Sequence, residues 1–559
     1  MQLIECVPNF SEGRDLSIIK QITDEIESVE GVKLLDVDPG KATNRTVVTF
    51  VGEPAPVIEA AFLAVEMASK LIDMSKHNGE HPRMGATDVC PLVPIANISM
   101  EQTAEWAHKL GKRIGEELSV PIFLYEAAAT NEERRNLANI RAGEYEGMEE
   151  KLKLDQWKPD FGQGFNSTAG VTAVGARDFL IAYNVNLNTT STRRANNVAF
   201  DLRENGRLKR EGGSLTGKPI LDKNGEALRE AGLLKSVKAI GWYIDEYGIA
   251  QISMNLTDIQ ATPLHIAFDK AVERAHHWGM RVTGSELVGL IPLKCMLDAG
   301  KYFLKKQRRS TGISESEIIK IAVRSMGLDE LSPFDPEKKI IEYVMRDASQ
   351  RRLVDMDLTG FADETASESP APGGGSVSAY IGSLSASLAG MVANLSSHKR
   401  GWDERWEEFS TWADKAQALQ TDLLDLVDED TLAFGRIMEA FSLPKDSAEE
   451  KKLRRQAIED ATIYAIDIPM KTVKKSFECF ELCRVMVETG NPNSVTDAGV
   501  GALCAKTAVH GAYLNVKINA VGLKDKEVAA KYIDEAQKIL EGAIAEEAAI
   551  IKLVEAKMV

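Results

Sequence analysis

One alternation of strand and helix patterns, which occurs twice, most constrains the fold of this chain. LIECV, VKLLDVD, TVVTFVG and DVCPLVPI have the composition of strands, and two amphipathic helices among them give the order β-α-β-β-α-β. The same order returns with FLIAYNVNL, VKAIGWYI, AQISMNL and RVTGSELVGL and two further helices. This repetition predicts two α/β sandwich subdomains of the split βαβ, ferredoxin-like kind.

The last third of the chain has a different pattern. Strand signals almost vanish, and long windows rich in Ala, Leu, Glu and Lys predict an all-α helical bundle. The predicted domains are an N-terminal subdomain at 1–178, a second subdomain at 179–345, a linker at 346–355 and a helical domain at 356–559. Two segments rich in Gly and polar residues, 160–178 and 207–232, are predicted to be a loop and a surface insertion.

Composition limits the partners. The chain has 67 Lys and Arg against 84 Asp and Glu and a formal net charge of −17, so binding to nucleic acid or anionic lipid is not expected. We see no apolar run of the roughly 18 residues that a membrane span needs, and no export signal. Six cysteines in 559 residues are too sparse for a disulfide framework. We expect a cytoplasmic protein that binds small molecules or protein.

The segment HNGEHPRMGATDV at 77–89 is the first candidate site. It places His77, Glu80, His81, Arg83 and Asp88 between a helix and a strand, where loops often display catalytic groups. A histidine suits proton transfer near neutral pH, and a nearby carboxylate can orient its ring. A surface loop that caps the neighbouring elements is the competing interpretation. A metal site on the two histidines is a third, disfavoured because the glycine and proline in the segment end the helix.

Helical periodicity singles out one carboxylate between residues 405 and 441. An apolar stripe is predicted there, formed by Leu419, Leu423, Val427, Phe434, Met438 and Phe441. Asp430 falls on this stripe and is predicted to face inward, whereas Asp428 and Glu429 point away and are predicted to face solvent. Desolvation raises the pKa of a buried carboxylate toward values useful in acid–base catalysis. A buried Asp that only bridges helices is the structural alternative.

Three glycines, Gly373, Gly374 and Gly375, stand directly before a predicted helix. Free amides at a helix N-terminus, with no Cβ in the way, allow a ligand to approach the backbone. A flexible entry to the helix would explain the same pattern. The glycines are therefore a candidate binding loop only in combination with other features.

Long strings of the chain are similar to a known family. IECVPNFSEGRD, HNGEHPRMGATDVCPLVP and RAGEYEGM resemble the formiminotransferase domain of the formimidoyltransferase-cyclodeaminase family, and PAPGGGSV, LVDEDTLAF and AYLNVKIN resemble its cyclodeaminase domain. The resemblance implies a bifunctional folate enzyme of histidine degradation. Such an enzyme transfers the formimidoyl group from N-formimidoyl-L-glutamate to tetrahydrofolate. It then cyclises 5-formimidoyltetrahydrofolate to 5,10-methenyltetrahydrofolate and releases ammonia.

The resemblance also implies roles for residues. His81 corresponds to the transferase acid–base, and Asp430 corresponds to the cyclodeaminase residue. For the proton transfer at His81, Asp38 or Glu80 is a candidate orienting partner. Folate is expected at the glycines of 373–375 and at the loop after the DFG string. That loop consists of Gly162, Gln163, Gly164, Phe165, Asn166, Ser167, Thr168, Ala169 and Gly170. It is one residue shorter than in the animal members and has Ala169 where they carry Trp.

The family implies neither a metal nor a prosthetic group, and tetrahydrofolate, free or polyglutamylated, is a co-substrate. It also implies a homo-oligomer, an octameric ring of dimers. Two other hypotheses remain open at this point. One is a single-activity formimidoyltransferase whose helical third is only an oligomerisation module, and the other is a folate-binding storage protein without catalysis.

Overall fold

The computed structural model describes residues 2–213, 217–345 and 352–558. The contacts within the chain divide it into two compact units. The first unit runs to Gly300, resumes at Ala322 and holds the sheets. The second, the helical unit, consists of Lys301–Ile321 and the helices after residue 351. An α/β N-terminal region and a helical C-terminal region are thus present, as the patterns predict.

Seven strands form the first sheet. They are β1 (Leu3–Cys6), β2 (Asn9–Phe10), β3 (Val32–Gly40), β4 (Arg45–Gly52), β5 (Thr87–Ala96), β6 (Ile122–Glu126) and β7 (Thr172–Ala176). β3 pairs with β4, and both β1 and β2 pair with β4 on one side and β5 on the other, all antiparallel. On the other side of β5 the sheet continues with β7, which is parallel to β5, and then with β6, which is parallel to β7.

Strand β7 corrects one sequence interpretation. The composition predicts a loop over 160–178, but Thr172–Ala176 form a fully buried strand between β5 and β6. Its sequence, TAVGA, consists of small residues and contains too few large apolar ones to be recognised as a strand. The small residues are needed because a Cβ at Gly175 would lie 2.5 Å from the ring of Tyr125.

Helices cover the first sheet through their apolar faces. The helices of this part are α1 (Leu16–Glu27), α2 (Pro54–Leu71), α3 (Met100–Glu117), α4 (Glu132–Arg135), α5 (Leu137–Arg141) and α6 (Glu144–Lys151). Ile22, Val57 and Leu110 of the three long helices pack with Phe50 and Leu92 of the strands in one buried core. Burial of each such side chain stabilises the fold by about 1.5–3 kcal/mol.

The second sheet has four antiparallel strands in the order β11-β12-β8-β13. The elements from β8 to β13 are β8 (Ile181–Leu187), α7 (Thr192–Leu202), β9 (Arg207–Leu208), β10 (Arg229–Glu230), β11 (Val237–Ile244), β12 (Ile249–Leu256), α8 (Leu264–His277) and β13 (Val282–Val288). The predicted order β-α-β-β-α-β is therefore observed here. The predicted insertion at 207–232 contains the small β9–β10 pair.

Ten helices are described in the rest of the chain. They are α9 (Leu293–Lys306), α10 (Glu315–Met326), α11 (Pro336–Lys339), α12 (Ile341–Val344), α13 (Leu358–Thr365), α14 (Gly374–Ser397), α15 (Trp406–Ser442), α16 (Ala448–Thr489), α17 (Val495–Ala520) and α18 (Lys526–Lys557). The long helices from α14 to α18 share one buried core.

Helix α14 packs closely against α15 because small residues line it. A Cβ at Gly382 would lie 3.2 Å from Leu423, and one at Gly390 would lie 3.1 Å from Ala416, so the two helices run antiparallel at short range. By length and composition α14 alone among the described helices could cross a membrane, but 61% of the qualifying window is buried in the protein. A buried core helix of a bundle passes the same test.

Two shorter segments belong to the helical unit. The amide of Thr311 donates to Oγ of Ser410 at 2.9 Å, and its hydroxyl donates to Asp414 at 2.5 Å. Of the predicted linker at 346–355, residues 346–351 lie outside the described residues. At its described end, the amide of Leu353 donates to Asp428 on α15 at 2.7 Å. Residues 352–355 are therefore anchored to the bundle.

Candidate active sites

His81 lies in the segment that leads into β5, where its ring is half-buried. Nδ1 lies 2.7 Å from the carbonyl oxygen of Pro82. Because a carbonyl can only accept, Nδ1 carries the proton and Nε2 of the neutral ring keeps its lone pair. The local backbone thus fixes the tautomer that a general base at Nε2 requires.

The electrostatic surroundings keep this ring neutral. Burial lowers the pKa of His81 most, the positive charges of Arg45 and Arg141 lower it further, and Asp88 opposes them, with a result of about 3. Asp88 is fully buried and accepts from Arg45 at 2.5 Å and Arg141 at 2.7 Å. Burial works against its ionisation, but the two arginines outweigh burial and hold the pKa of Asp88 at about 2.

Hydrogen bonds at both ring nitrogens hold His77 in place. Its Nε2 donates to the carbonyl oxygen of Asn44 at 2.9 Å, and its Nδ1 accepts from Nε of Arg83 at 3.2 Å. Arg83 is held in turn by Glu144 and Glu146. Both nitrogens of His77 are therefore occupied, which argues against a metal site shared with His81. Within the described ranges, no group of three or more His, Cys, Asp or Glu could hold a metal ion.

The two predicted orienting carboxylates make other contacts. Asp38 accepts from the amide of Gly289 at 3.1 Å. Glu80 is exposed and lines an open cavity of about 630 Å³ together with Arg14, Lys41 and Asp245. In this structure the carbonyl of Pro82, and neither carboxylate, orients the ring of His81.

The predicted folate loop at 162–170 lies beside the His81 segment. The amide of Ala86 donates to the carbonyl of Ala169 at 2.8 Å, and that of Val171 donates to the carbonyl of Met84 at 2.9 Å. Gly170 has φ +70°, and a Cβ there would lie 2.3 Å from the Met84 oxygen, so only glycine allows this approach. The structure therefore brings together two segments that are about 80 residues apart in the printed sequence.

Not every residue of this loop can reach a ligand. Ala169 is 2% exposed, and its amide and carbonyl are both used, by Asn166 and Ala86. Gly170 is buried as well. These two residues hold the loop in place, so direct contacts with folate would fall to its exposed members. Those members are Gln163, Gly164, Ser167 and Thr168.

The second candidate site is at the start of α14. The carboxylate of Asp430 lies against Gly375, where a Cβ would come within 2.2 Å of Oδ1, and it accepts from Oγ of Ser376 at 3.1 Å. Burial raises the pKa of Asp430, and hydrogen bonds from the hydroxyl and amide of Ser376 oppose the rise. Asp430 thus faces the glycine loop, in the inward position that its place on the apolar stripe predicts.

The neighbours of Asp430 correct the sequence interpretation. Asp428 and Glu429, predicted to face solvent, are both partly buried: Asp428 accepts from Arg352 at 3.0 Å, and Glu429 accepts from the hydroxyl of Tyr464. The predicted stripe also ends early, because Phe434, Met438 and Phe441 are 46%, 55% and 52% exposed. Helix α14 begins opposite Asp430, so it cannot cover the part of α15 that follows.

Gly375→Ala tests whether the close approach of the Asp430 carboxylate to Gly375 matters for activity. The new Cβ must displace the Asp430 carboxylate. For the two reactions that the sequence resemblance implies, we therefore expect ammonia release from 5-formimidoyltetrahydrofolate to fall by about 10²-fold while formimidoyl transfer continues. Gly435→Ala is the matched control, because Gly435 lies on α15 outside the glycine loop and its Cβ would meet nothing within 4 Å. Equal effects of the two substitutions on ammonia release would contradict a role for this close approach.

Comparison with known proteins matches this two-part arrangement. Residues 3–177 match the family described as "Formiminotransferase domain, N-terminal subdomain", 182–346 match "Formiminotransferase domain" and 357–538 match "Formiminotransferase-cyclodeaminase". Formimidoyltransferase-cyclodeaminase of Mus musculus is 41% identical over 558 residues, which cover 100% of this chain and 99% of that protein. The chain belongs to the formimidoyltransferase-cyclodeaminase family. It therefore carries both regions of that family.

Shorter proteins are similar to parts of this family member. Glutamate formimidoyltransferase of Streptococcus pyogenes serotype M1 is 42% identical over 305 residues, 54% of this chain and 94% of that protein. Methenyltetrahydrofolate cyclohydrolase of Methylorubrum extorquens is 36% identical over 190 residues, 34% of this chain and 89% of that protein.

Several residues of the two sites could not be recognised from the sequence. Arg45 and Arg141, which enclose Asp88, come from the start of β4 and the end of α5. An arginine at the edge of a buried strand is the signal that could have indicated Arg45. Ser376 follows the glycines directly, and its contact with Asp430 bridges 54 residues of sequence, so no local pattern could reveal it.

Proposed function

We propose how this bifunctional formimidoyltransferase and cyclodeaminase divides its chemistry. The first unit transfers the formimidoyl group of N-formimidoyl-L-glutamate to N5 of tetrahydrofolate. The helical unit cyclises the product to 5,10-methenyltetrahydrofolate and releases ammonia. The observation that carries the proposal is the full-length match of a chain in which a neutral His81 and a partly buried Asp430 stand in separate units.

For transfer, N5 attacks the amidinium carbon and must lose its proton, while the glutamate nitrogen must gain one to leave. Nε2 of His81 is unprotonated because Nδ1 donates to Pro82, so it accepts the N5 proton. The imidazolium so formed returns the proton to the leaving nitrogen. Arg45 and Arg141 disfavour the imidazolium, which favours this return.

For cyclisation, N10 attacks the same carbon and ammonia leaves. The Asp430 carboxylate accepts the proton of N10 and gives it to the departing amine. A raised pKa suits both steps, because a stronger base accepts the proton more readily and its acid form can still donate near neutral pH. Gly375 admits the carboxylate itself, and Gly373 and Gly374, where a Cβ would meet nothing closer than 3.5 Å, would leave room for tetrahydrofolate beside it.

Tetrahydrofolate, free or polyglutamylated, would be a co-substrate, and we propose that the exposed part of the 162–170 loop contacts it in the first unit. Asp38 and Glu80 would support the transferase site as charged neighbours. The ferredoxin-like description of the two sandwich subdomains, with boundaries at 178 and 345, is likewise a proposal. It is consistent with the order β11-β12-β8-β13 of the second sheet.

We also propose a cytoplasmic homo-oligomer, in its fullest form an octameric ring of dimers. The six cysteines are free thiols, which suits a reducing compartment. One face of α14 exposes Leu384, Met391 and Leu395, and one face of α17 exposes Val500, Leu503, Leu514 and Ile518. Large exposed apolar faces of this kind favour association. Light scattering coupled to gel filtration measures the oligomer directly.

A fragment ending near Val344 tests the proposed boundary. We expect it to remain in solution and to keep formimidoyl transfer close to that of the full chain, because a relative of about this length is a glutamate formimidoyltransferase. The segment at 301–321 loses contacts with α14 and α15 that are mainly polar, from Thr311 to Ser410 and Asp414 and from the carbonyl of Gly312 to Asn394, and water can replace them. Aggregation of the fragment under conditions that keep the full chain dissolved would contradict the boundary.

The function itself is tested by turnover. The full chain is incubated with N-formimidoyl-L-glutamate and tetrahydrofolate, and the absorbance of 5,10-methenyltetrahydrofolate is followed. A storage protein would bind folate without turnover. Formation of the product at catalytic enzyme concentration excludes that alternative.

A further inference from the structure

Within the described ranges, Ser376 is the residue that donates a hydrogen bond to the side chain of Asp430. Oγ of Ser376 donates to Oδ2 of the carboxylate at 3.1 Å. Ser376 is itself 0% exposed, so water cannot replace its hydroxyl. We infer that Ser376 is the positioning residue of the cyclodeaminase site, which orients the Asp430 carboxylate and sets its proton affinity.

The fold places this hydroxyl at the carboxylate. Ser376 lies in the first turn of α14, directly after Gly375, whose missing Cβ lets the carboxylate approach. The carboxylate thus lies against the positive end of the helix dipole, and a residue of the first turn supplies its hydroxyl donor. An Asp side chain without this donor could turn away from the glycine loop, toward which the substrate must bind.

The other described groups near the carboxylate have different partners or do not titrate. From α14 and α17 the nearby residues are the glycines and the amide of Asn515, which do not titrate. The acidic neighbours Asp428 and Glu429 bind Arg352 and Tyr464, the latter from α16. Among the described residues, burial and hydrogen bonding from Ser376 are the causes that shift the pKa of Asp430.

The inference rests on the proposed cyclodeaminase function and predicts a shifted pH profile. The hydroxyl stabilises the charged carboxylate, so Ser376→Ala raises the pKa of Asp430. The acid limb of the pH profile of kcat for ammonia release should then move up by about one pH unit, the effect expected for one hydrogen bond to a charged group. Formimidoyl transfer should not change, since His81 lies in the other unit.

Two further variants separate positioning from packing. Ser376→Cys fills the same space with a weak donor, so it should show the same upward shift as Ser376→Ala. Ser383→Ala is the matched control, because Ser383 is 2% exposed on the same helix and donates to the carbonyl of Tyr380. Its acid limb should stay in place.

The experiment measures kcat for chemically supplied 5-formimidoyltetrahydrofolate against pH in the full-length wild type and the three variants. An upward shift in both Ser376 variants, with Ser383→Ala unchanged, supports the inference. If the acid limb of Ser376→Cys lies at the same pH as that of the wild type, the serine only fills space. That result overturns the inference, even where Ser376→Ala fails to fold. Wild-type protein without any ammonia release would instead overturn the proposed function.

Discussion

Replacing His81 with alanine is expected to abolish formimidoyl transfer and to leave the cyclisation of supplied 5-formimidoyltetrahydrofolate intact. The substitution removes Nε2, the free acceptor that the Pro82 carbonyl defines. Loss of a general acid–base typically costs about 10²–10⁴-fold in rate. Glutamate release measures the first reaction and ammonia release the second, so one pair of assays shows both halves of the expectation.

His276→Ala is the control for this substitution. His276 lies exposed in the last turn of α8, so the same change of side chain touches neither candidate site. It should leave both reactions unchanged. Near wild-type transfer in His81→Ala would remove His81 from its role. Loss of both activities would indicate that the substitution damages the fold.

Asp430→Asn is expected to separate the two reactions in the opposite direction. Asparagine keeps the shape and can still accept from Ser376, but it cannot exchange a proton near neutral pH. Transfer should continue, 5-formimidoyltetrahydrofolate should accumulate, and ammonia release should fall by about 10²–10⁴-fold. Circular dichroism should show an intact helical unit.

The control for Asp430→Asn must be chosen from the structure. Asp428 is unsuitable because its carboxylate binds Arg352 and the amide of Leu353. Asp425 lies on the same helix with its side chain 65% exposed and 3.6 Å from Arg352, so Asp425→Asn makes the same chemical change at the surface and removes only an exposed ion pair of little stabilising effect. It should change ammonia release little. If the Asp430 and Asp425 variants had equal effects, or if Asp430→Asn unfolded the bundle, the buried Asp would be structural.

Periodicity predicted the features that depend on a single helix or strand. The alternating strands, the long helices and the inward position of Asp430 follow from patterns within a single segment. The solvent-facing prediction for Asp428 and Glu429 was wrong because a helical wheel considers one helix, whereas the segment at 352–353 and α16 cover two further sides of α15. Periodicity cannot show how many neighbours a helix has.

The surroundings of His81 could not be predicted for a related reason. Asp88 meets Arg45 across 43 residues and Arg141 across 53 residues of sequence, and only the assembled sheet and helix bring them together. The neutral state of His81 depends on that assembly. Strand β7 was missed because tight packing around Gly175 requires small residues, which removes the composition by which strands are recognised.

The central claim, two consecutive reactions at separate sites of one chain, is tested most directly by the ratio of products. The full-length protein is incubated with N-formimidoyl-L-glutamate and tetrahydrofolate, and glutamate and ammonia are quantified in the same samples. The account predicts one ammonia for each glutamate once the intermediate has been consumed, with Asp430→Asn releasing glutamate alone. Glutamate release without ammonia by the wild-type protein would contradict it and would leave a single-activity transferase with a helical oligomerisation module.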